Sequence, residues 1–161
     1  MTPFRFSDEE FETAYKKHAD VLYRLALSYL KNKEDAEDAV QDAFVKYFCG
    51  FHLPVSEEQT RAWLIRVTIN HCHDLLRKRS YRMHDSLEDV AELVAAEEPE
   101  TKDLLELIRN LPEKYKDVII LHYLEGYSVE EAAGILGVSP SAIKMRLKRG
   151  RESLREELEK E

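Results

Sequence analysis

Between Gly137 and Arg151 the chain carries Lys144, Arg146, Lys148, Arg149 and Arg151 without a single acid, a local net charge of +5. From Arg61 to Arg82 six basic residues face one acid, Asp74, for another +5. The whole chain stands at −8, so the remainder holds −18. Guanidinium and ammonium groups gathered in this way suit phosphate oxygens and guanine edges. Two separate basic patches on an acidic protein point to two nucleic-acid contacts, with other surfaces kept off the backbone. Bond-making chemistry has less to work with. His71, Cys72 and His73 are metal-ligand types, but neighbours on a helix point about 100° apart and do not converge on one ion. The chain has no Gly-rich phosphate loop, no HExxH and no Ser in a strand-to-helix elbow.

Tyr127 to Leu154, YSVEEAAGILGVSPSAIKMRLKRGRESL, must position the second patch. Ser128 with Glu131 three residues on is a capping box, which starts a helix. Ala132, Ile135 and Leu136 supply its buried side, and Ala133 and Gly134 are expected to admit a neighbouring helix closely. Gly137 gives a left-handed turn, Val138 plugs the corner, and Ser139-Pro140 forms an N-cap followed by the residue favoured at the first helical position. In the next helix Ile143, Leu147 and Leu154 fall on one side. Ser141, Lys144, Met145, Lys148 and Arg151 fall on the other, flanked by Arg146 and Arg149. The pattern is a helix-turn-helix with a basic outward face suited to a major groove.

Two earlier helices carry polar faces of their own. In Lys33 to Phe48, KEDAEDAVQDAFVKYF, the residues Ala36, Val40, Ala43, Phe44 and Tyr47 gather on one side. Asp38, Gln41, Asp42 and Val45 gather opposite, and an acidic face with an apolar residue in its middle suits a partner protein. In Arg61 to Arg79, RAWLIRVTINHCHDLLRKR, apolar residues cover most of the circumference. Arg66, Asn70, His73 and Arg77 form one polar line at spacings of four, three and four, able to follow a DNA strand.

The organisation follows from the same patterning. Helical periodicity runs from Asp8 to about Ser80 with breaks at Lys31 to Lys33 and at Gly50 to Ser56, and resumes from Lys102 to about Leu158. Between them lies an acid-rich stretch too poor in bulky apolar residues to build a core. The expectation is an all-α protein of two small domains: a three- to four-helix domain over 8–82 and a helix-turn-helix domain over 102–158, joined by an acidic flexible linker at 83–101. Cys49 and Cys72 lie in apolar-periodic stretches without CxxC spacing and are expected to be reduced core thiols. No apolar run approaches the roughly 20 residues of a membrane span, and the N-terminus lacks the pattern of a signal peptide, so a cytoplasmic protein is expected.

Three blocks in order, LYRLALSYLKNKEDAEDAVQDAFVKYF, RAWLIRVTINHCHDLLRKR and LPEKYKDVIILHYLEGYSVEEAAGILGVSPSAIKMRLKRGRESL, resemble the extracytoplasmic-function sigma factors of bacterial RNA polymerase. The resemblance covers about Phe11 to Leu158. It implies a promoter-recognition subunit, not an enzyme, with no cofactor and no metal. Its partners would be core polymerase, through the β′ clamp helices and the β flap, together with promoter DNA and, as a candidate, an anti-sigma factor. By resemblance Asp38, Gln41, Asp42 and Val45 dock on the clamp helices. Arg66, Asn70, His73, Arg77 and Arg79 meet the −10 strand, with a flipped base held by the loop Phe51 to Thr60. Ser141, Lys144, Met145, Arg146, Lys148, Arg149 and Arg151 meet the −35 duplex, and the linker runs through polymerase channels. Relatives often have Lys or Arg near the positions of His71 and His73, and histidines there lower the positive charge at neutral pH. Two other readings stay open: a dimeric stand-alone helix-turn-helix regulator binding a palindrome, and a helical metalloenzyme built on His52, His71, Cys72 and His73.

Overall fold

A computed structural model describes residues 7–50, 56–85 and 104–160. The first unit is built from α1 (Asp8–Leu30), α2 (Lys33–Phe48) and α3 (Glu57–Asp85). Ser7 caps α1 through a reciprocal pair of bonds with Glu10, and three acids fill the first turn, where the helix dipole favours them. Lys31 ends α1 in the left-handed region at φ 64°, and the Asn32 side chain then accepts from the amides of Glu34 and Asp35 to start α2. These two residues make the tight corner of a helical hairpin. Ala26, Ala36, Ala39 and Ala43 are fully buried and let the hairpin helices approach closely, with Leu22, Leu25, Val40 and Phe44 filling the space toward Leu64, Ile65 and Ile69 of α3.

The second unit comprises α4 (Leu104–Arg109), α5 (Glu113–Ile119), a single π turn (Ile120–Leu124), α6 (Val129–Leu136) and α7 (Pro140–Glu159). The π turn, which the sequence pattern does not announce, is closed by the Glu125 amide donating to the Ile120 carbonyl at 3.0 Å. Among the described residues every regular element is helical. The linker at 83–101 lies largely outside the described residues, although α3 continues into its first positions.

Two packing expectations need correction. A Cβ on Gly134 would meet nothing within 4 Å, so this glycine does not mark a close helix approach. The close approach is at Gly150, where a Cβ would lie 3.0 Å from Cγ1 of Ile119, so α7 crosses α5 there. Cys72 is a core thiol, but Cys49 is exposed, because it sits at the C-cap of α2, beyond the periodic face.

Candidate nucleic-acid and partner interfaces

The helix-turn-helix forms by the local signals in its sequence. The Ser128 amide donates to Oε1 of Glu131 at 3.0 Å and the Glu131 amide donates to Oγ of Ser128 at 3.0 Å. Gly137 turns at φ 70°, and Oγ of Ser139 accepts from the Ala142 amide ahead of α7. Ile143 and Leu147 are buried, which fixes the rotation of α7 and sends Ser141, Lys144, Met145, Lys148, Arg149 and Arg151 outward. Arg146 is half-buried at the edge. Two of these cations are braced: Nη1 of Arg151 donates to the Tyr123 hydroxyl at 2.9 Å, and Arg149 hydrogen-bonds the Tyr115 phenol, holding its pKa below the usual value.

On α2, Asp38, Gln41 and Val45 are exposed, Val45 at 58%. Asp42 is not equivalent to them. Its Oδ2 is screened from solvent, 3.0 Å from Nζ of Lys46 and 3.3 Å from Nδ1 of His71, without hydrogen-bond alignment to either. The helical wheel of α2 could not reveal this, since His71 comes from α3.

The polar line on α3 is divided. Arg66 and Asn70 are exposed, and the Arg66 guanidinium lies beside the Gly137 turn, 3.5 Å from the position a Cβ would take there. His73, expected on an open stripe, is buried: its Nε2 lies 2.8 Å from Oδ1 of Asp117 in α5. A carboxylate only accepts, so Nε2 carries a proton. Arg77 makes a two-pronged contact with Glu113, Nε to Oε1 at 2.8 Å and Nη2 to Oε2 at 2.5 Å. That bond holds the Glu113 carboxyl below the ordinary range. Arg79 pairs with Asp35 of α2. The two domains therefore meet across α3, and Tyr29, Glu113 and Asp117 are polar participants that sequence reading missed.

Of the loop from Phe51 to Thr60, residues 51–55 lie outside the described residues. Ser56, Glu57 and Thr60 border a cavity of about 500 Å³ shared with Glu10, His18 and Tyr47. His18 is buried there, and burial lowers its pKa, with the charge of Arg61 acting in the same direction. His52 also lies outside the described residues. Among the described residues no group of three or more His, Cys, Asp or Glu is placed to hold a metal ion, and no helix is long and apolar enough to cross a membrane.

A helical domain with an acid-fronted helix, followed by a helix-turn-helix with an acid-free basic face, defines a two-domain DNA-binding transcription factor. Residues 14–82 match Sigma-70 region 2 and residues 101–154 match Sigma-70, region 4. The chain is 34% identical over 152 residues to RNA polymerase sigma factor SigV of Bacillus subtilis, covering 92% of this chain and 91% of that one. It is 32% identical over 157 residues to ECF RNA polymerase sigma factor SigE of Mycolicibacterium smegmatis, covering 90% of this chain and 60% of the relative. Among solved structures, CnrH in complex with the cytosolic domain of CnrY is similar at 27% identity and a TM-score of 0.70, over 96% of this chain and 91% of that one. The sigma factor RpoE in complex with the anti-sigma factor NepR from Bartonella quintana is similar at 26% identity and a TM-score of 0.67, over 94% of this chain and 98% of that one. The chain belongs to the extracytoplasmic-function family of RNA polymerase sigma factors. Its function is promoter-specific initiation of transcription.

Proposed function

We propose that this sigma factor divides its work among three faces, as a non-enzymatic, cytoplasmic subunit of polymerase holoenzyme. The exposed residues of α2, Asp38, Gln41 and Val45, dock on core polymerase, with Asp42 shaping the edge of that face. Arg66 and Asn70 of α3, joined by Arg77 and Arg79, follow the −10 strand. The outward face of α7 reads the −35 duplex. One observation carries the reading: between Ser141 and Arg151, α7 sets six exposed residues, four of them cationic and none acidic, opposite the buried Ile143 and Leu147. A groove-entering helix needs this division between contact and anchorage. Since a similar structure is a sigma factor in complex with an anti-sigma factor, an anti-sigma factor is a fitting regulator of this chain too.

The test is reconstituted initiation with core polymerase on promoters carrying intact or scrambled −10 and −35 elements. The reading expects initiation to depend on both elements and the chain alone to bind promoter duplex weakly, because its acidic remainder repels DNA. Tight, sequence-specific binding of a palindrome by the chain without polymerase would favour a stand-alone regulator.

A further inference from the structure

The exposed face of α7 is not uniformly basic. At about 100° per residue, the buried Ile143, Leu147 and Gly150 share one side of the helix, and the direction opposite them falls between Ser141 and Met145. Ser141 and Met145 therefore form the outermost line, one turn apart. Lys144, Lys148 and Arg151 flank it on one side and Arg149 on the other. Two of those cations are held back toward the body of the domain, Arg151 by the Tyr123 hydroxyl at 2.9 Å and Arg149 by the Tyr115 phenol. Met145 is 55% exposed and takes no part in the hydrophobic core. An apolar side chain thus stands on the line that points away from the domain, with cations on both sides of it.

In a helix laid in a major groove the central line faces the base edges, while the flanking lines face the phosphate backbones. Ammonium and guanidinium groups suit the flanks. The centre is where water is stripped most completely, and a cation there without an acceptor would be left unpaired. A thioether has no donor and only a weak acceptor, so it does not read the polar pattern of a base pair. The apolar group that the major groove offers is the C5-methyl of thymine. We propose that Met145 is a specificity-determining residue of α7, selecting an A·T pair within the −35 element by packing on the thymine methyl. The inference rests on the assignment of α7 to the −35 duplex and names one base that this helix selects. Ser141 lies on the same line, but a hydroxyl both donates and accepts and so suits several base edges. Met145 is the selective member of the two.

The experiment uses holoenzyme assembled from the full chain and core polymerase, on a promoter located by start-site mapping. Each −35 thymine of either strand is replaced in turn by deoxyuridine, which removes the methyl and keeps every hydrogen-bonding group. With the wild-type chain, promoter affinity should fall about fourfold at one thymine, the effect of burying a single methyl-sized group. Met145→Ala should bind the thymine promoter more weakly and no longer distinguish the two bases at that position, whereas Met145→Leu should keep the distinction. Lys148→Ala should weaken binding to both promoters alike and preserve their ratio. Thermal melts of the Met145 variants should match wild type, since the position is exposed. A −35 element in which no thymine is sensitive to the exchange, or a sensitivity that persists undiminished in Met145→Ala, would overturn the inference. The underlying assignment is read separately: if scrambling the whole −35 element leaves wild-type initiation unchanged, α7 does not read it, whereas dependence on the element without any effect of deoxyuridine removes the role of Met145 alone.

Discussion

The Tyr29 hydroxyl donates to Oδ1 of Asp117 across 2.6 Å, tying the last turn of α1 to α5 over 88 positions of sequence. Burial, reinforced by the Asp117 charge, pushes the Tyr29 phenol well above its usual pKa. The folded pKa is raised, so the stabilisation is complete below the unfolded value of about 10 and is lost as pH climbs through the folded one. Tyr29→Phe should lower stability at neutral pH by about 1–3 kcal/mol, the range for a bond to a charged acceptor. Thermal melts of the two proteins should converge as pH rises past the ordinary tyrosine range. A gap that widens instead would contradict the assignment.

The two glycines of the second domain should respond in opposite directions. Gly134 is helical with open space around it, so Gly134→Ala should stabilise by about 0.5–1 kcal/mol through helix propensity. Gly150 lies against buried Ile119, and Gly150→Val should destabilise by about 1–3 kcal/mol by overpacking the crossing of α5 and α7. Denaturant titrations of both variants check the pair.

These differences mark what the sequence could and could not disclose. The helix-turn-helix was legible because Ser128 with Glu131, Gly137 and Ser139-Pro140 act within a few residues of one another, where capping and turn chemistry decide the outcome. The exposed face of α7 was legible for the same reason, as periodicity fixes it once Ile143 and Leu147 are buried. Periodicity could not tell an open polar line on α3 from one half covered by another domain. His73, Glu113 and Asp117 meet only through tertiary packing, and each reads in isolation as an ordinary solvated residue. Asp42 was misjudged for a related reason: its own helix leaves it outward, and His71 of α3 closes over it.

The two thiols should differ in reactivity. Burial first, and then the Asp117 charge, push the Cys72 thiol up to about 12, whereas Cys49 is exposed. Only the thiolate is nucleophilic, so brief alkylation of the native protein near neutral pH should modify Cys49 and spare Cys72. Mass spectrometry after digestion reads the result, and denatured protein should be modified at both positions.

Core-polymerase binding should follow the exposed residues of α2. Asp38→Lys and Val45→Asp should weaken co-purification with core enzyme while changing stability by no more than about 0.5 kcal/mol, as is usual for exposed positions. Asp42→Lys is a poorer probe, because it would set a third basic group beside Lys46 and His71 and disturb the fold as well. Unchanged co-purification of the Asp38 and Val45 variants would remove this face from the polymerase contact.

The outward and inward positions of α7 should separate in function and stability. Lys148→Ala and Arg149→Ala should lower initiation from promoters with an intact −35 element. A lost base contact costs about 1–3 kcal/mol, whereas a lost phosphate contact weakens all sequences alike and flattens the salt dependence. Arg149→Ala also releases Tyr115, whose pKa should then rise toward the ordinary tyrosine value, an effect absent from Lys148→Ala. Leu147→Ala should leave the basic face intact and destabilise the domain by about 2–5 kcal/mol, because its side chain is 3% exposed in the core. Initiation assays on intact and scrambled −35 promoters, run beside thermal melts, distinguish the two classes. Lys148 and Arg149 variants that melt normally and initiate at wild-type levels would show that α7 does not read the −35 element.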